Sequence, residues 1–331
     1  MNKIDVVYTW VNGNDPNWLN KKQLFINDNP GLIKNKKVNS RGRFFDNNEI
    51  KFSLRSLGKY APWINNIFLV TDNQIPEWLN TNHPKINIID HQEIFNKENL
   101  PCYNSNAIEM NLHKIKKLEN QFLSFNDDFF IGKESCIDDF FINGKPKLFC
   151  GKKINEIDSF NSSVLVNEYQ YANYNARLMI YNKYEYFPSF NLRHGIKPLE
   201  KNILKELGEI FLEEFKATQK NHFRTKKDIW IIGLYAFYMV ANNLSKPYYI
   251  KPLRKDLMRY KIKYLRKGRE YTYISLNQLD SKKIKSKFSA IKKYKPLMFC
   301  INDGPNVSDN KRTLVKDFLE HYFPDKSVFE K

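Results

Sequence analysis

Four cysteines in 331 residues, Cys102, Cys136, Cys150 and Cys300, are few and far apart. No two form a CxxC pair, and none has a histidine nearby at zinc-ligand spacing. That excludes a disulfide-stapled scaffold and a zinc module, and leaves free thiols in a reducing compartment as the expectation. A long apolar run is also missing. The most apolar segment, IWIIGLYAFYMVA from Ile229 to Ala241, is shorter than the ~20 residues that span a bilayer, so it reads as a buried helix. The opening MNKIDVVYTWVNG has neither an extended apolar core nor a small-residue cleavage site, and reads as a first strand rather than a secretory leader. With no internal repeat and no low-complexity linker, one domain over 1–331 is expected.

What is present sets narrower limits. Hydrophobic content of 42% with 15% aromatics supports one large core or two modest ones, so global disorder is excluded. The net charge of +18 calls for an anionic partner: nucleic acid, phospholipid, a phosphorylated sugar polymer or a nucleotide. Much of it is local. From Ser245 to Lys295 there are 17 Lys and Arg against three Asp and Glu, Lys282, Lys283, Lys285 and Lys287 among them. A basic nucleic-acid-binding protein is a remote alternative, since no recognised binding motif is present and the basic residues are concentrated rather than woven through aromatic strands.

Four apolar segments followed by turn or polar residues, IDVVYTWV, INNIFLVTD, KINIID and QFLSFNDD, alternate in part with helical patterns. This is the mark of βαβ units and a largely parallel sheet. One helix is expected in NNEIKFSLRSLGKY, with Ile50, Leu54 and Leu57 on one face and Asn47 or Asn48 as cap. Another is expected in NAIEMNLHKIKKLENQ, with Asn106 and Glu109 at capping-box spacing. Amphipathic helices are also expected from Leu199 onward and in RTLVKDFLEHYF, whereas 162–190, rich in Tyr and Asn, shows no steady period and is read as an acceptor-facing lobe.

Within QFLSFNDDFFIG, Asp127 and Asp128 end an apolar run, where two adjacent carboxylates repel and lose solvation unless something offsets their charge. Ligands of open α/β sheets sit outside the carboxyl ends of strands, and neighbouring side chains on an extended strand point to opposite faces. One aspartate is therefore expected to ligate a metal and the other to orient water or substrate, with Mg²⁺ or Mn²⁺ favoured by oxygen ligands. Asn302 and Asp303 repeat the pattern after LMFCI. At the end of the first strand, Trp10, followed by Asn12 and Gly13, reads on residue type alone as a core aromatic, with stacking on a nucleotide base, and Asp5 hydrogen-bonding nearby, as the other reading. His194, in a loop just before a helix, suits a general base, although an aspartate remains the alternative. His91 and His113 are read as structural.

Four blocks in order carry a resemblance to a known family: IDVVYTWVNGNDP; FFDNNEIKFSLRSLGKYAPWINNIFLVTDNQIPEWL running on to FNDDFFIG; LRHGIKPLEKNILKEL running on to HFRTKKDIW; and MFCINDGPN. The chain resembles the Stealth family, which includes bacterial capsule-synthesis sugar-1-phosphate transferases and the animal lysosomal-enzyme N-acetylglucosamine-1-phosphotransferase. The third block departs from the family pattern, which is richer in proline and histidine around His194. The resemblance implies an α/β fold with a glycosyltransferase-A-like, Rossmann-type core and a helical insertion. It divides the chain into a nucleotide-sugar and metal core at 1–155 and 296–331 and a helical, basic acceptor-side region at 156–295.

The implied reaction transfers sugar-1-phosphate from a UDP-sugar, a UDP-N-acetylhexosamine by preference, to a saccharide hydroxyl, releasing UMP and leaving a phosphodiester. An ordinary metal-dependent glycosyltransferase releasing UDP is the alternative. The resemblance assigns Asp127, Asp128, Asn302 and Asp303 to the metal and His194, Arg224, Asp228 and Arg55 to catalysis, beside Asp5, Trp10, Asn12 and Gly13 at the donor. It implies a cytoplasmic enzyme, with peripheral contact to the anionic inner face of the membrane as a further expectation.

Overall fold

A computed structural model describes residues 3–32, 39, 44–155, 162–250, 270–304 and 307–331; the most basic stretch, 251–269, lies outside them. The four apolar segments become β1 (Asp5–Thr9), β2 (Ile67–Thr71), β3 (Ile86–Asp90) and β4 (Gln121–Asn126), parallel and ordered β4-β1-β2-β3. Their near-continuous apolar runs follow from cover on both faces. Val7, Phe68, Val70 and Phe122 pack into one core, and Val6, Tyr8, Ile67, Leu69, Leu123 and Phe125 into the other.

The connections carry α1 (Pro16–Asp28), α2 (Glu49–Tyr60), α3 (His91–Ile94) and α4 (Ser105–Met110). On α2, Ile50, Leu54 and Leu57 are each 1–2% exposed and face the second core as expected, each burial worth about 1.5–3 kcal/mol. The helix expected from Asn106 to Gln121 stops at Met110. Its cap is Asn104, whose side chain accepts from Asn106 N, and not the Asn106–Glu109 box. Beyond Met110 the chain makes i→i+3 bonds, Lys114 to Asn111, Ile115 to Leu112 and Leu118 to Ile115. The buried Leu112, Ile115 and Leu118 are three apart, a spacing that suits this tighter winding better than a 3.6-residue turn.

After β4 the chain turns through Asp127 and Asp128 into β5 (Phe129–Ile131) of a different sheet, so the double aspartate is the seam between two sheets. A small hairpin, β6 (Phe141–Ile142) and β7 (Lys145–Pro146), leads to β8 (Leu148–Lys153) and then to α5 (Glu168–Tyr184). No steady period marks α5 because its inward positions, Ala172, Ala176 and Ile180, are mostly alanine. Two further strands follow. β9 (Phe190–Leu192) pairs antiparallel with β8, and β10 (Lys197–Glu200) joins the central sheet antiparallel to β4. The helices α6 (Lys201–Ile210), α7 (Leu212–Gln219) and α8 (Ile231–Ala241) cover the first core, and α8 is the buried helix expected from its composition.

β11 (Pro247–Tyr249) lies parallel to β8. The second sheet is completed by β12 (Tyr271–Ser275), α9 (Ser281–Tyr294) and β13 (Met298–Asn302), with β13 parallel to β12 and antiparallel to β5, and α10 (Asp309–Tyr322) packs behind it. The region 156–295 is thus helical in its middle, yet it also lends β10 to the central sheet and β12 to the second.

Candidate active site

At the seam, Asp128 is 8% exposed and held by the second sheet. Its Oδ2 accepts from Asn302 Nδ2 at 3.1 Å and from the Cys300 thiol at 3.3 Å, and its carbonyl accepts from Ile301 N at 3.2 Å. Oδ1 is buried with no partner among the described residues, an anionic oxygen left for something absent from the protein itself. Ligand atoms of Asp128, His194 and Cys300 lie within 4.8 Å of one another. Burial, with Asp128 alongside, pushes the Cys300 thiol well up, so it acts here as a donor and not as a thiolate.

Asp127 turns the other way, with ligand oxygens of Asp127, Asp46 and Glu49 within 4.8 Å of one another. Burial raises all three carboxyls, Glu49 to about 7; repulsion from Asp46 adds to it at Glu49, and repulsion from Asp128, Glu49 and Asp46 adds to it at Asp127. Gly13 brings this group together: its N–H donates to Phe44 O at 2.6 Å, and a Cβ there would meet that oxygen at 2.0 Å. Only glycine allows the segment before α2 so close to the end of β1. Trp10 is buried at that strand end, and its indole nitrogen has no hydrogen-bond partner among the described residues. Asn12 pairs with Gln74 through its backbone, while its side chain accepts from Asn14 N.

A basic wall faces the aspartates. His194 stands edge-on between the rings of Phe129 at 5.1 Å and Tyr273 at 5.7 Å, and is exposed. The crowding of protein around it lowers its pKa below the ordinary imidazole value, against an upward pull from Asp128. Burial brings Lys197 down to about 8, and its ammonium is held by the carbonyls of Arg193 and Gly195. Arg224 donates to Ser105 Oγ. Burial raises Glu109 on α4 to about 7, while Arg224 and Lys197 pull it down; its Oε2 is buried without a partner among the described residues.

Several expected site residues lie elsewhere. Asp5 begins β1, at the opposite end of the sheet from Asn126, fully buried, accepting from Asn65 Nδ2, Asn66 N and Glu119 N at 2.8–2.9 Å. It ties loops together and does not reach the cleft. Arg55 is spent on a bidentate pair with Glu330, at 2.8 Å to each oxygen, and on the carbonyl of Phe323. Asp228 is 0% exposed and accepts from Asn104, Asn106, Asn221 and Thr225, so it fixes the loop that carries Arg224 instead of meeting a substrate. Asp303 is paired with Arg312 at 3.0 Å and joined to Glu49 through Asn47, one shell behind the metal position expected for it. Conversely, sequence reasoning passed over Asp46, Glu49, Glu109 and Lys197. Glu49 lies inside the helix expected at NNEIKFSLRSLGKY, Asp46 just before it, and Glu109 in the expected capping box, so residue type and place alone did not single them out.

Sequence models of four Stealth regions match this chain: conserved region 1 at residues 2–29, conserved region 2 at 43–148, conserved region 3 at 193–241 and conserved region 4 at 289–331. Asp128 comes from the second region, His194 and Arg224 from the third, and Asn302 from the fourth. The capsular polysaccharide phosphotransferase WcwK of Streptococcus pneumoniae is 31% identical across 100% of both chains. The capsular polysaccharide phosphotransferase fcs1 of Haemophilus influenzae is 36% identical, over 74% of this chain and 68% of that one. An exopolysaccharide phosphotransferase of Streptomyces coelicolor is 31% identical over 99% of this chain, which spans about half, 51%, of that longer relative. Among solved structures, the galactosyltransferase LgtC in complex with donor and acceptor sugar analogs aligns over 98% of this chain and 97% of that one, with 10% identity and a TM-score of 0.44. A likeness that distant carries no argument about chemistry. With all four regions in order and a relative matched from end to end, the chain belongs to the Stealth family.

Proposed function

We propose that the chain transfers sugar-1-phosphate from a UDP-sugar, a UDP-N-acetylhexosamine by preference, to a saccharide hydroxyl, releasing UMP and forming a phosphodiester in capsular polysaccharide synthesis. The observation that carries this reading is the meeting of Asp128, His194 and Asn302, drawn from three of the family's regions, beneath a wall of Arg224 and Lys197. The acceptor oxygen forms a bond to the β-phosphorus, and the bond from that phosphorus to the bridging oxygen of UMP breaks. His194, with a ring nitrogen within 4.8 Å of the Asp128 carboxylate, takes the acceptor proton on its ring nitrogen. Arg224 and Lys197 offset charge on the equatorial oxygens.

The open oxygen of Asp128 and the raised carboxyls of Asp46, Glu49 and Asp127 fit a hard divalent cation, and oxygen donors favour Mg²⁺ or Mn²⁺. Such an ion supplies charge neutralisation at the diphosphate when bound. In this reading 1–155 and 296–331 form the donor and metal core of one catalytic unit, and 156–295 faces the acceptor. No helix among the described residues is long and apolar enough to cross a membrane. The lysines of α9 would give a cytoplasmic enzyme peripheral contact with an anionic leaflet.

The test is to incubate the protein with several UDP-sugars and an acceptor extract and to identify the nucleotide released and the new linkage. UMP with a phosphodiester product supports the reading. UDP with a phosphorus-free linkage replaces it with an ordinary glycosyl transfer at the anomeric carbon.

A further inference from the structure

Arg193, next to the proposed base, has no role in the chemistry above and no anion to hold. Its Nε is buried without a partner, and no carboxylate pairs with its guanidinium among the described residues. The group lies 5.8 Å from the ring centroid of Tyr271, and a Cβ at Gly151 would come within 3.3 Å of its Cζ, so the bare backbone of β8 lies flush against it. Tyr271 donates its hydroxyl to His194 O at 2.7 Å, which ties this shelf to the bend that carries the base. Two residues further along β12 and on the same strand face, Tyr273 stands against the His194 ring, about 7 Å away along the strand. The same face of β12 thus presents first an unpaired guanidinium over one tyrosine and then the proposed base against the next.

A planar fork of donors is suited to a phosphate or carboxylate on a sugar chain; Tyr271, 2% exposed, backs the fork from the core side, and the half-buried Tyr273 is the ring left to meet a sugar. Resting on the transferase reading above, we propose that Arg193, backed by Tyr271, forms with Tyr273 an acceptor subsite for an anionic, phosphodiester-bearing saccharide, one unit removed from the reacting hydroxyl. An acceptor that already carries a phosphodiester would then be preferred over a neutral one. The class of reaction that supplies this acceptor is an earlier round of sugar-phosphate transfer.

Equilibrium binding of the intact chain to two probes tests this: an oligosaccharide joined by phosphodiesters, and one of equal length joined by neutral glycosidic bonds. Arg193→Gln should cut the preference for the charged probe by about tenfold and flatten its salt dependence. Arg193→Lys, which keeps the charge but loses the fork, should restore part of that preference. An unchanged preference, or equal loss for both probes, overturns the subsite. So does a loss of UDP-sugar affinity as large as the loss for the charged probe, because the guanidinium would then face the donor diphosphate. Failure of the transferase reading would appear separately, as UDP instead of UMP released by the wild-type enzyme, whatever the probe preference.

Discussion

Asp127 and Asp128 are neighbours in sequence, yet they serve opposite sides of one seam: Asp127 joins Asp46 and Glu49, and Asp128 joins His194 and Cys300. The turn between β4 and β5 sends the two side chains apart, so one double aspartate populates two clusters. Asp127→Asn and Asp128→Asn should each lower turnover by at least ~100-fold, and chelation should do so reversibly. Added Mg²⁺ should raise the melting temperature of the wild type, and less so in Glu49→Gln. Fully active Asn variants, or indifference to chelators, would remove the metal from the mechanism.

His194 and Arg224 can be separated kinetically. His194→Ala should depress kcat more than donor affinity, whereas Arg224→Ala should weaken transition-state stabilisation and donor binding together. A near-wild-type kcat in the histidine variant would leave Glu109, with its free buried oxygen, as the group to test next.

Arg55 now predicts a stability effect. Burial alone would raise the Glu330 carboxyl, but the bonds from Arg55 and from Ser327 N override it and hold the group at about 2. A carboxyl lowered on folding adds stability that is fully present above its ordinary value of 4.5 and is lost as pH falls toward about 2. Arg55→Gln should therefore cost roughly 1–2 kcal/mol at neutral pH in urea unfolding, with the gap from wild type closing in acid. A variant with unaltered stability and abolished turnover would return Arg55 to the chemistry.

The basic patch can be probed on α9, where Lys282, Lys283, Lys285, Lys292 and Lys293 are exposed opposite the buried Ile284, Phe288 and Ile291. Lys287 does not belong with them, because its ammonium bonds Tyr273 O at 3.1 Å. Changing Lys282, Lys285, Lys292 and Lys293 to Gln should weaken sedimentation with phosphatidylglycerol vesicles, by at most ~1 kcal/mol per residue, and flatten its salt dependence. Equal binding before and after would mark the stripe as ordinary solvated surface.

Strong local signals were readable from the sequence: four parallel strands, three of them largely buried, the apolar stripe of α2 and the uniformly apolar α8. Alanine hid α5, whose inward positions carry too little hydrophobic contrast to set a period. Asp5 was misplaced because residue type alone does not say which end of a strand a carboxylate occupies; here it is the amino end. Asp46 and Glu49 were overlooked for a related reason. An acid at a helix start has an ordinary explanation, and only the close approach of Gly13 to Phe44 turns it toward Asp127. Pairings of this kind across long stretches of chain leave no local trace.

The bond from Asn302 to Asp128 spans 174 residues of chain, and that from Asn47 to Asp303 spans 256. Contacts this distant form only after most of the loop-closure entropy has been lost, and chains that depend on them fold slowly. The early parallel strands and helices can collapse while the seam is still open. During refolding, secondary structure and compactness should therefore return before turnover does, and recovery of activity becomes the clock for the last step of assembly.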